Sequence, residues 1–276
     1  MKPRVHDDQL SAAIPRVAKA EEDPANPSWP APAASRFYRN HLLLPVAAAF
    51  GFSVMLILLH GDFWLADWFY ALQGHAWTLK SHPLTESLVH VGGRTASIVA
   101  WLLVFAAYLW SCFDVRLASW RRPLAYLALT TLLATAVVAG AKSVSGMDCP
   151  WDLQRYGGDR AFVSLFAHRP ATMPAAACFP AGHASGGYAW VTLYFFFLAT
   201  RPRLRWVGLS LAVAVGATFG FAQQLRGAHF LSHDLWTLVI CWLVALIGYI
   251  SFFNHSSLRA STGSTVTCPA SATSGQ

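Results

Sequence analysis

The stretch that decides the fold is Leu235–Phe253, LWTLVICWLVALIGYISFF, which contains no Asp, Glu, Lys or Arg. A helix needs about 20 mostly apolar residues to cross the hydrocarbon core of a bilayer. A buried helix of a soluble protein usually keeps one polar face, and this stretch has none. It therefore predicts a transmembrane helix. Five further stretches of similar length also lack these charges: His41–His60, Thr95–Phe113, Pro123–Ala141, Ala184–Thr200 and Trp206–Gln224.

The composition agrees with lipid as the solvent. Hydrophobic residues make up 55% of the 276-residue chain and charged residues 12%, whereas soluble domains carry about 25% charged residues. We expect an all-α membrane protein with six transmembrane helices. Phe63–Leu72 and Leu84–Val91 mix aromatic with charged residues, which predicts additional interfacial helices. Residues 1–35 and 256–276 show no helical or strand period and predict disordered tails on either side of a membrane domain at 36–255.

Lysine and arginine in the loops predict the orientation. One set of loops carries arginines and almost no acid, so the positive-inside rule assigns it to the cytoplasm. The opposite set balances cations with acids and faces outward. We therefore expect a multi-pass protein of a bacterial inner (cytoplasmic) membrane with both tails cytoplasmic. The cytoplasmic set comprises Arg36, Arg39, Arg116, Arg121, Arg122, Arg201, Arg203, Arg205 and Arg259 with Asp114, and the outward set comprises Lys80, Arg94, Lys142, Arg155, Arg160, Arg169 and Arg226 with Asp62, Asp67, Glu86, Asp148, Asp152, Asp159 and Asp234.

The net charge of +7 follows from this topology. A nucleic-acid partner is not expected, because the cations are divided among short loops instead of forming one stripe. The expected partner of the spans is the lipid bilayer, and the sequence says nothing about protein partners.

Three outward-facing stretches carry most of the residues whose side chains could take part in catalysis or ligand binding. They are Lys142–Trp151 after the third span, Phe179–His183 before the fourth, and Gln223–Asp234 between the fifth and sixth. All three lie at the same membrane boundary, so helices three to six can bring them together around one pocket.

The residue types in these stretches favour phosphoryl transfer. Lys142 and Arg226 supply positive charge, and Gly182 lets backbone amides approach an anion at a helix start. His183 and His229 titrate near neutrality. One imidazole can attack phosphorus while the other protonates the departing oxygen.

A metal centre is not predicted. His229 and His233 are one helical turn apart, but no third ligand is evident for a metal ion. No cofactor is expected either.

The three stretches resemble the motifs of the type-2 phosphatidic acid phosphatase superfamily of membrane lipid phosphatases. That family carries Lys-x6-Arg-Pro, Pro-Ser-Gly-His and Ser-Arg-x5-His-x3-Asp. This sequence has Lys142 and, after six residues, Cys149-Pro150; then Pro180-Ala181-Gly182-His183; then Gly227-Ala228-His229-Phe230. The resemblance implies a metal-independent site at the outer membrane face. In that site His229 would be the nucleophile and His183 the general acid, while Lys142 and arginines would hold phosphate.

The chain departs from the family pattern in each motif. Cys149 replaces the first-motif arginine, Ala181 replaces the second-motif serine, and Gln223 replaces the third-motif arginine. The sequence therefore indicates a divergent member. We expect Ala181 and Gly182 to line the substrate-binding site through their backbone.

Other cations are expected to replace the missing arginines. Arg226 lies three residues before His229, a spacing that shares one face of a helix. Arg155 and Arg160 are the candidates for the first-motif position, although each also has an acid nearby.

The catalytic histidine also lacks its usual acidic neighbour. His233 stands where the family has an acid, and Asp234 follows it. We expect His233 to orient the ring of His229, or Asp234 to do so if the local turn is irregular.

Cys149 and Cys178 have two interpretations. As a disulfide they would close a loop of about 30 residues, which the chain-entropy account values at ~3 kcal/mol. As free thiols they would be inert packing. The outward, oxidising side and the position of Cys149 favour the disulfide.

The predicted function is an integral membrane lipid-phosphate phosphatase acting at the periplasmic face through a phospho-histidine intermediate. Candidate substrates are undecaprenyl pyrophosphate, phosphatidylglycerol phosphate, phosphatidic acid and a lipid A phosphate. One alternative is a phosphotransferase that moves the phosphate to another lipid. Another is a catalytically impaired lipid-phosphate binding or transport protein with the same fold, which the missing arginines favour.

Overall fold

The computed structural model describes residues 31–253, with the exception of Phe166. The predicted C-terminal tail and residues 1–30 of the predicted N-terminal tail lie outside the described residues. The first helix begins at Ala31, inside the stretch predicted as a tail.

The described residues form a helical bundle without a β-strand. This confirms the predicted all-α membrane fold. Five segments are long and apolar enough to cross a membrane: Ala34–Leu58, Leu84–Phe113, Val115–Val144, Pro202–Leu225 and Leu231–Phe253. The α-helices of the described part are α1 (Ala31–Tyr38), α2 (Leu44–Leu58), α3 (Gly61–Leu72), α4 (Gly93–Phe113), α5 (Arg121–Val144), α6 (Gly182–Tyr188), α7 (Thr192–Thr200), α8 (Arg205–Leu225) and α9 (Leu231–Phe253).

Short π- and 3₁₀-helical segments join several of these helices. The π-helices are Arg39–Leu43 and Leu84–Gly92, and the 3₁₀-helices are Thr78–Ser81, Val115–Trp120, Pro150–Asp152, Gln154–Tyr156, Ala189–Val191 and Pro202–Leu204.

The predicted fourth span is helical from Gly182 to Thr200 but is not one continuous α-helix. A 3₁₀ turn at Ala189–Val191 separates α6 from α7. With a rise of about 1.5 Å per residue, the whole segment is long enough to traverse most of the hydrocarbon core.

Leu84–Gly92 differs from the separate interfacial helix that the sequence predicts. It is a π-helix that runs without a break into α4, because Gly92 and Gly93 both keep right-handed helical backbone angles. The second span is therefore longer than predicted. Its added turns carry Glu86 and His90 toward the site described below.

The main core lies between α5, α7 and α9. Tyr126, Phe195 and Leu246 are almost completely buried there, and the Tyr126 hydroxyl donates to the carbonyl oxygen of Ala245 at 3.0 Å. In lipid, such dense packing stabilises the bundle mainly through dispersion contacts and hydrogen bonds between helices.

Glycines bring α6 and α8 into backbone contact. A Cβ atom at Gly187 would lie 2.4 Å from the backbone nitrogen of Gly216, and one at Gly216 would lie 2.2 Å from the Tyr188 ring. Small residues permit this close approach between membrane helices. The contact places the start of α6, which carries His183, beside the end of α8.

A smaller cluster covers the loops at this end of the bundle. Ala66 of α3 packs there with Leu153, Tyr156 and Phe230. The carboxylate of Asp62 accepts from the backbone N–H of Ser232 at 2.9 Å, and it thereby caps the first turn of α9. These contacts fix the segment that carries His229.

Candidate functional site

A cavity of about 710 Å³ opens at the end of the bundle where α5 and α8 terminate and α6 begins. Five of the predicted catalytic and substrate-binding residues line it. They are Lys142, Gly182, His183, Arg226 and His229. The three motif stretches therefore meet around one pocket.

His229 follows a tight turn whose geometry requires glycine. Gly227 has a φ of +71°, and a Cβ atom there would lie 2.5 Å from the Trp77 ring. The backbone N–H of Ala228 donates to the carbonyl oxygen of Gln223 at 2.9 Å, which closes the turn. The turn aims His229 into the cavity.

His229 contacts His233 through the ring nitrogens. The two Nδ1 atoms are 3.3 Å apart, so one ring donates and the other accepts. His229 is buried, and burial holds its pKa well below the ordinary value, with further lowering by the charges of His233 and Lys142. The ring is consequently neutral at neutral pH, which is the nucleophilic form.

His183 is the second residue of α6. Its Nε2 atom is buried and has no hydrogen-bond partner among residues 31–253. The ring packs between His90 and Phe219, with centroid distances of 4.3 Å and 4.9 Å. The ring lines the cavity, and its Nε2 is a buried polar atom that no described residue satisfies.

Lys142 reaches the cavity from the last turn of α5 and passes close to Gly182. A Cβ atom at Gly182 would lie 3.3 Å from Cδ and 3.5 Å from Nζ of Lys142. Within the described part of the chain, Lys142 makes no side-chain hydrogen bond or ion pair. Its ammonium group is therefore a cation without a fixed counter-charge at the cavity wall.

Arg226, which the sequence predicts to supply positive charge to the site, is already paired with an acid. Its guanidinium forms an ion pair with Glu86 and donates to the carbonyl oxygen of Lys80 at 2.9 Å. Its side chain is only 9% exposed. Glu86 is far from Arg226 in sequence, and the extension of the second span brings the two together. Arg226 thus lines the cavity with its charge already compensated.

Gln223 connects this ion pair to a histidine that the sequence analysis does not single out. Arg226 donates to Oε1 of Gln223 at 3.3 Å, and Nε2 of Gln223 lies 3.0 Å from Nδ1 of His90. His90 in turn packs on His183. The residue at the third-motif arginine position therefore belongs to the pocket as a hydrogen-bonding link.

Arg94, like His90, lines the cavity although it belongs to none of the three motifs. It lies in the first turn of α4, is exposed, and has no ion pair with any described residue. The sequence gives one signal for it, since it belongs to the outward set of cations. Arg94 and Lys142 are thus the uncompensated cations that line the pocket within residues 31–253.

Arg155 and Arg160 do not line the cavity. Arg155 makes a bidentate ion pair with Asp67, with its Nε 2.7 Å from Oδ1. Arg160 donates to Asp148 at 2.7 Å, and Arg169 bonds the same carboxylate at 2.6 Å. Both predicted phosphate ligands are therefore paired with carboxylates, because an acid lies nearer to each arginine than the cavity does.

The Asp148 carboxylate is the centre of this second cluster. Burial raises its pKa, but the hydrogen bonds from Arg169 and Arg160 outweigh burial and leave the pKa below its usual value. Asp148 is consequently ionised at neutral pH and holds the loop after α5 in place.

Asp234 lies behind the site instead of beside His229. Nε2 of Gln224 donates to its Oδ2 at 2.5 Å, and a Cβ atom at Gly220 would lie 2.5 Å from the carboxylate. The α9 turn is regular here, so His233 contacts His229 while Asp234 faces α8. Asp234 therefore ties α9 to α8.

Ala181 is fully buried and does not line the cavity. Its carbonyl oxygen accepts from the Thr237 hydroxyl at 3.3 Å, and its N–H donates to the carbonyl oxygen of His233 at 3.4 Å. This residue fixes the start of α6 against α9.

Cys149 and Cys178 are joined as a disulfide, with their Cα atoms 5.2 Å apart, and both line the cavity. The next residue, Phe179, packs its ring against that of His233, with centroids 5.3 Å apart. The disulfide therefore links the loop after α5 to the segment that positions both rings.

The described residues contain no group of three or more His, Cys, Asp or Glu side chains that could hold a metal ion. The charged groups that line the pocket are all cations, and they lie beside imidazoles, hydroxyls and one amide, a set that suits an anionic ligand.

The fold and the pocket together define a helical membrane protein with a cavity lined by cationic and imidazole side chains at one end of the bundle. Comparison with protein-family models shows that residues 123–257 match the PAP2 superfamily. This match confirms the resemblance of this part of the chain to the type-2 phosphatidic acid phosphatases. The matched range contains all three motifs but leaves out Glu86, His90 and Arg94. Searches of curated proteins and of solved structures find no significant match.

Proposed function

We propose that this protein is an integral membrane lipid-phosphate phosphatase that works through a phospho-histidine on His229. The convergence of His183, His229 and Lys142 on one cavity carries the proposal. The candidate substrates remain undecaprenyl pyrophosphate, phosphatidylglycerol phosphate, phosphatidic acid and a lipid A phosphate. We place the reaction at the periplasmic face of a bacterial inner membrane, on the basis of the loop charges.

In the first step, Nε2 of neutral His229 attacks phosphorus. The contact between its Nδ1 and His233 leaves Nε2 as the free nucleophilic nitrogen. The bond from phosphorus to the leaving oxygen breaks, and protonated His183 donates its proton to that oxygen. In the second step, His183 accepts a proton from water, water attacks phosphorus, and the P–N bond breaks to release phosphate and neutral His229.

Negative charge shifts among the phosphate oxygens in the transition state, and nearby positive charge is required to stabilise it. Lys142 and Arg94 are suited to this role because neither has a carboxylate partner among the described residues. Arg226 contributes through its N–H groups, but Glu86 already offsets its charge. We expect this arrangement to replace the motif arginines that this chain lacks at Cys149 and Gln223.

The apolar part of the cavity favours a lipid as the substrate. Ile98 of α4 and Leu132, Ala136 and Ala139 of α5 line the same space as the cations. A phosphate held at the charged end would place its hydrocarbon chain against this wall.

Phosphate release from a panel of lipid phosphates by detergent-purified protein tests the proposal. We expect His229→Ala to abolish release and His183→Ala to slow it by about 10²–10⁴-fold, the usual size of general acid catalysis. His168→Ala removes a histidine that does not line the cavity, and it should retain full activity. An unchanged rate for His229→Ala would refute the enzyme assignment.

A trapped intermediate separates the mechanism from other phosphatase chemistries. Rapid quenching with ³²P-labelled substrate should give acid-labile, base-stable label on the protein, and none on His229→Ala. Analysis of the products then distinguishes water from a second lipid as the acceptor, and so distinguishes a phosphatase from a phosphotransferase.

One observation favours a second candidate, a lipid-phosphate binding or transport protein that has lost turnover. Arg226, the arginine closest to His229 in sequence, is neutralised by Glu86. This candidate predicts saturable binding of a lipid phosphate without phosphate release from any member of the panel.

A further inference from the structure

A second cavity lies away from the candidate active site. It has a volume of about 1250 Å³ and runs between the first span and helices α7, α8 and α9. We call it the distal groove. Its polar lining residues are Arg36, Asn40, His41, Arg205, Trp206 and Trp242. Arg205 begins α8, whose other end adjoins the catalytic cavity, so the charged part of the groove lies at the opposite end of the bundle.

The groove exists because the first span packs loosely. Only 6% of its most apolar window is buried inside the protein. Two hydrogen bonds fix it at one level: Trp242 Nε1 donates to the His41 carbonyl oxygen at 2.6 Å, and His41 Nε2 lies 2.9 Å from the Tyr194 hydroxyl. Beside these contacts the span and the bundle leave an open, apolar channel.

The charged end of the groove contains two arginines and no acid. Within residues 31–253 neither Arg36 nor Arg205 forms an ion pair. Nε of Arg205 is buried and has no hydrogen-bond partner in this part of the chain, and its guanidinium lies 5.5 Å from the Trp206 ring centroid. A buried guanidinium donor without an acceptor is costly, so the site is incomplete without an anionic ligand.

We propose that the distal groove binds one anionic phospholipid from the leaflet opposite the catalytic cavity. The lipid phosphate would accept hydrogen bonds from Arg205 and Arg36, because guanidinium groups pair with phosphate in a bidentate manner. Basic pockets between transmembrane helices at this side of a membrane commonly hold acidic headgroups.

The length and lining of the groove fit the acyl chains of such a lipid. The lining residues of the first span extend from Arg36 to Phe52, which at 1.5 Å per residue corresponds to about 24 Å. One leaflet of the hydrocarbon core is about 15 Å thick. Below the arginines the lining is almost entirely apolar and includes Leu209, Val213 and Val239.

Lipid retention by the full chain tests this proposal. The protein is reconstituted in vesicles of phosphatidylglycerol and phosphatidylcholine, re-extracted in mild detergent, and its bound lipids are counted by native mass spectrometry. We expect preferential retention of one phosphatidylglycerol, and about a tenfold fall in that retention for Arg36→Gln/Arg205→Gln. The matched control Arg116→Gln/Arg203→Gln removes two exposed arginines of the same face that do not line the groove.

The outcomes are distinguishable from failure of the proposed phosphatase activity. His229→Ala should retain the phosphatidylglycerol, since the groove is remote from the catalytic cavity. Equal loss in both double variants, or equal retention of the two lipids, would overturn the proposal. Undiminished retention in Arg36→Gln/Arg205→Gln would also overturn it, and would leave the acidic run Glu21–Asp23 or a second copy as the occupant.

Discussion

Replacing both cysteines of the Cys149–Cys178 disulfide with serine should weaken the fold and the site together. The two residues are separated by 29 positions. In the chain-entropy account, a cross-link of this span raises the free energy of the unfolded chain by about 3.5 kcal/mol, which shifts the folding equilibrium toward the folded state roughly 400-fold. Phe179, which follows Cys178, packs against the ring of His233, and His233 contacts His229. We therefore expect phosphate release to fall at temperatures where the fold itself remains intact.

The free energy of unfolding in mixed micelles measures the first effect, and phosphate release below the unfolding transition measures the second. Cys112→Ser is the matched control, because Cys112 is an exposed free cysteine. Reductant should lower the stability of the parent protein to that of the double variant and should not change the double variant. A loss of stability under about 1 kcal/mol with full activity would refute the argument that this cross-link fixes the histidine segment.

Three further predictions concern charge and protonation. Because burial lowers the pKa of His229, the acidic limb of the pH profile of kcat/KM should lie below pH 6.5. The free energy of unfolding should also fall as the pH drops below 6.5, because only the unfolded histidine gains a proton there. His229→Gln should reduce the slope of unfolding free energy against pH by up to about 1.4 kcal/mol per pH unit. Arg94→Ala should raise KM for a lipid phosphate about tenfold, whereas Arg155→Ala, whose partner Asp67 lies outside the cavity, should change it less than about twofold; equal effects would contradict the assignment. Glu86→Gln should destabilise the fold by about 1–3 kcal/mol because it leaves a buried guanidinium uncompensated, and an unchanged unfolding free energy would argue against a structural ion pair.

The membrane fold could be predicted from the sequence because long uncharged segments have few alternatives to crossing a bilayer. Leu235–Phe253 lies inside an observed candidate span. The less accurate predictions concern places where polar and apolar residues mix. Leu84–Gly92 carries Glu86 and His90, which predicts an interfacial helix, yet its backbone continues into α4. Local composition does not reveal this continuity, which depends on how the second span packs.

The candidate site divides in a similar way. The motif spacing predicts that Lys142, His183 and His229 belong to one site, and all three line one cavity. The choice of cations was less predictable, because it depends on which acids lie within reach after folding. Arg226 pairs with Glu86, which lies 140 positions earlier in the chain, and no sequence pattern near Arg226 predicts that partner. Arg94 stays free for the converse reason, since folding brings no carboxylate to it among the described residues.

The ends of the described chain lie away from the catalytic cavity. The ring of Phe37 in α1 stacks on that of Tyr249 in α9, with centroids 5.8 Å apart, and α9 begins beside the cavity and ends at the far side of the bundle. A tag joined directly to the end of α9 at Phe253 would therefore tether the protein to a sensor chip with the mouth of its pocket facing the bulk solution. Such an immobilised bundle would accept substrate delivered in flowing nanodiscs without hindrance from its own anchor.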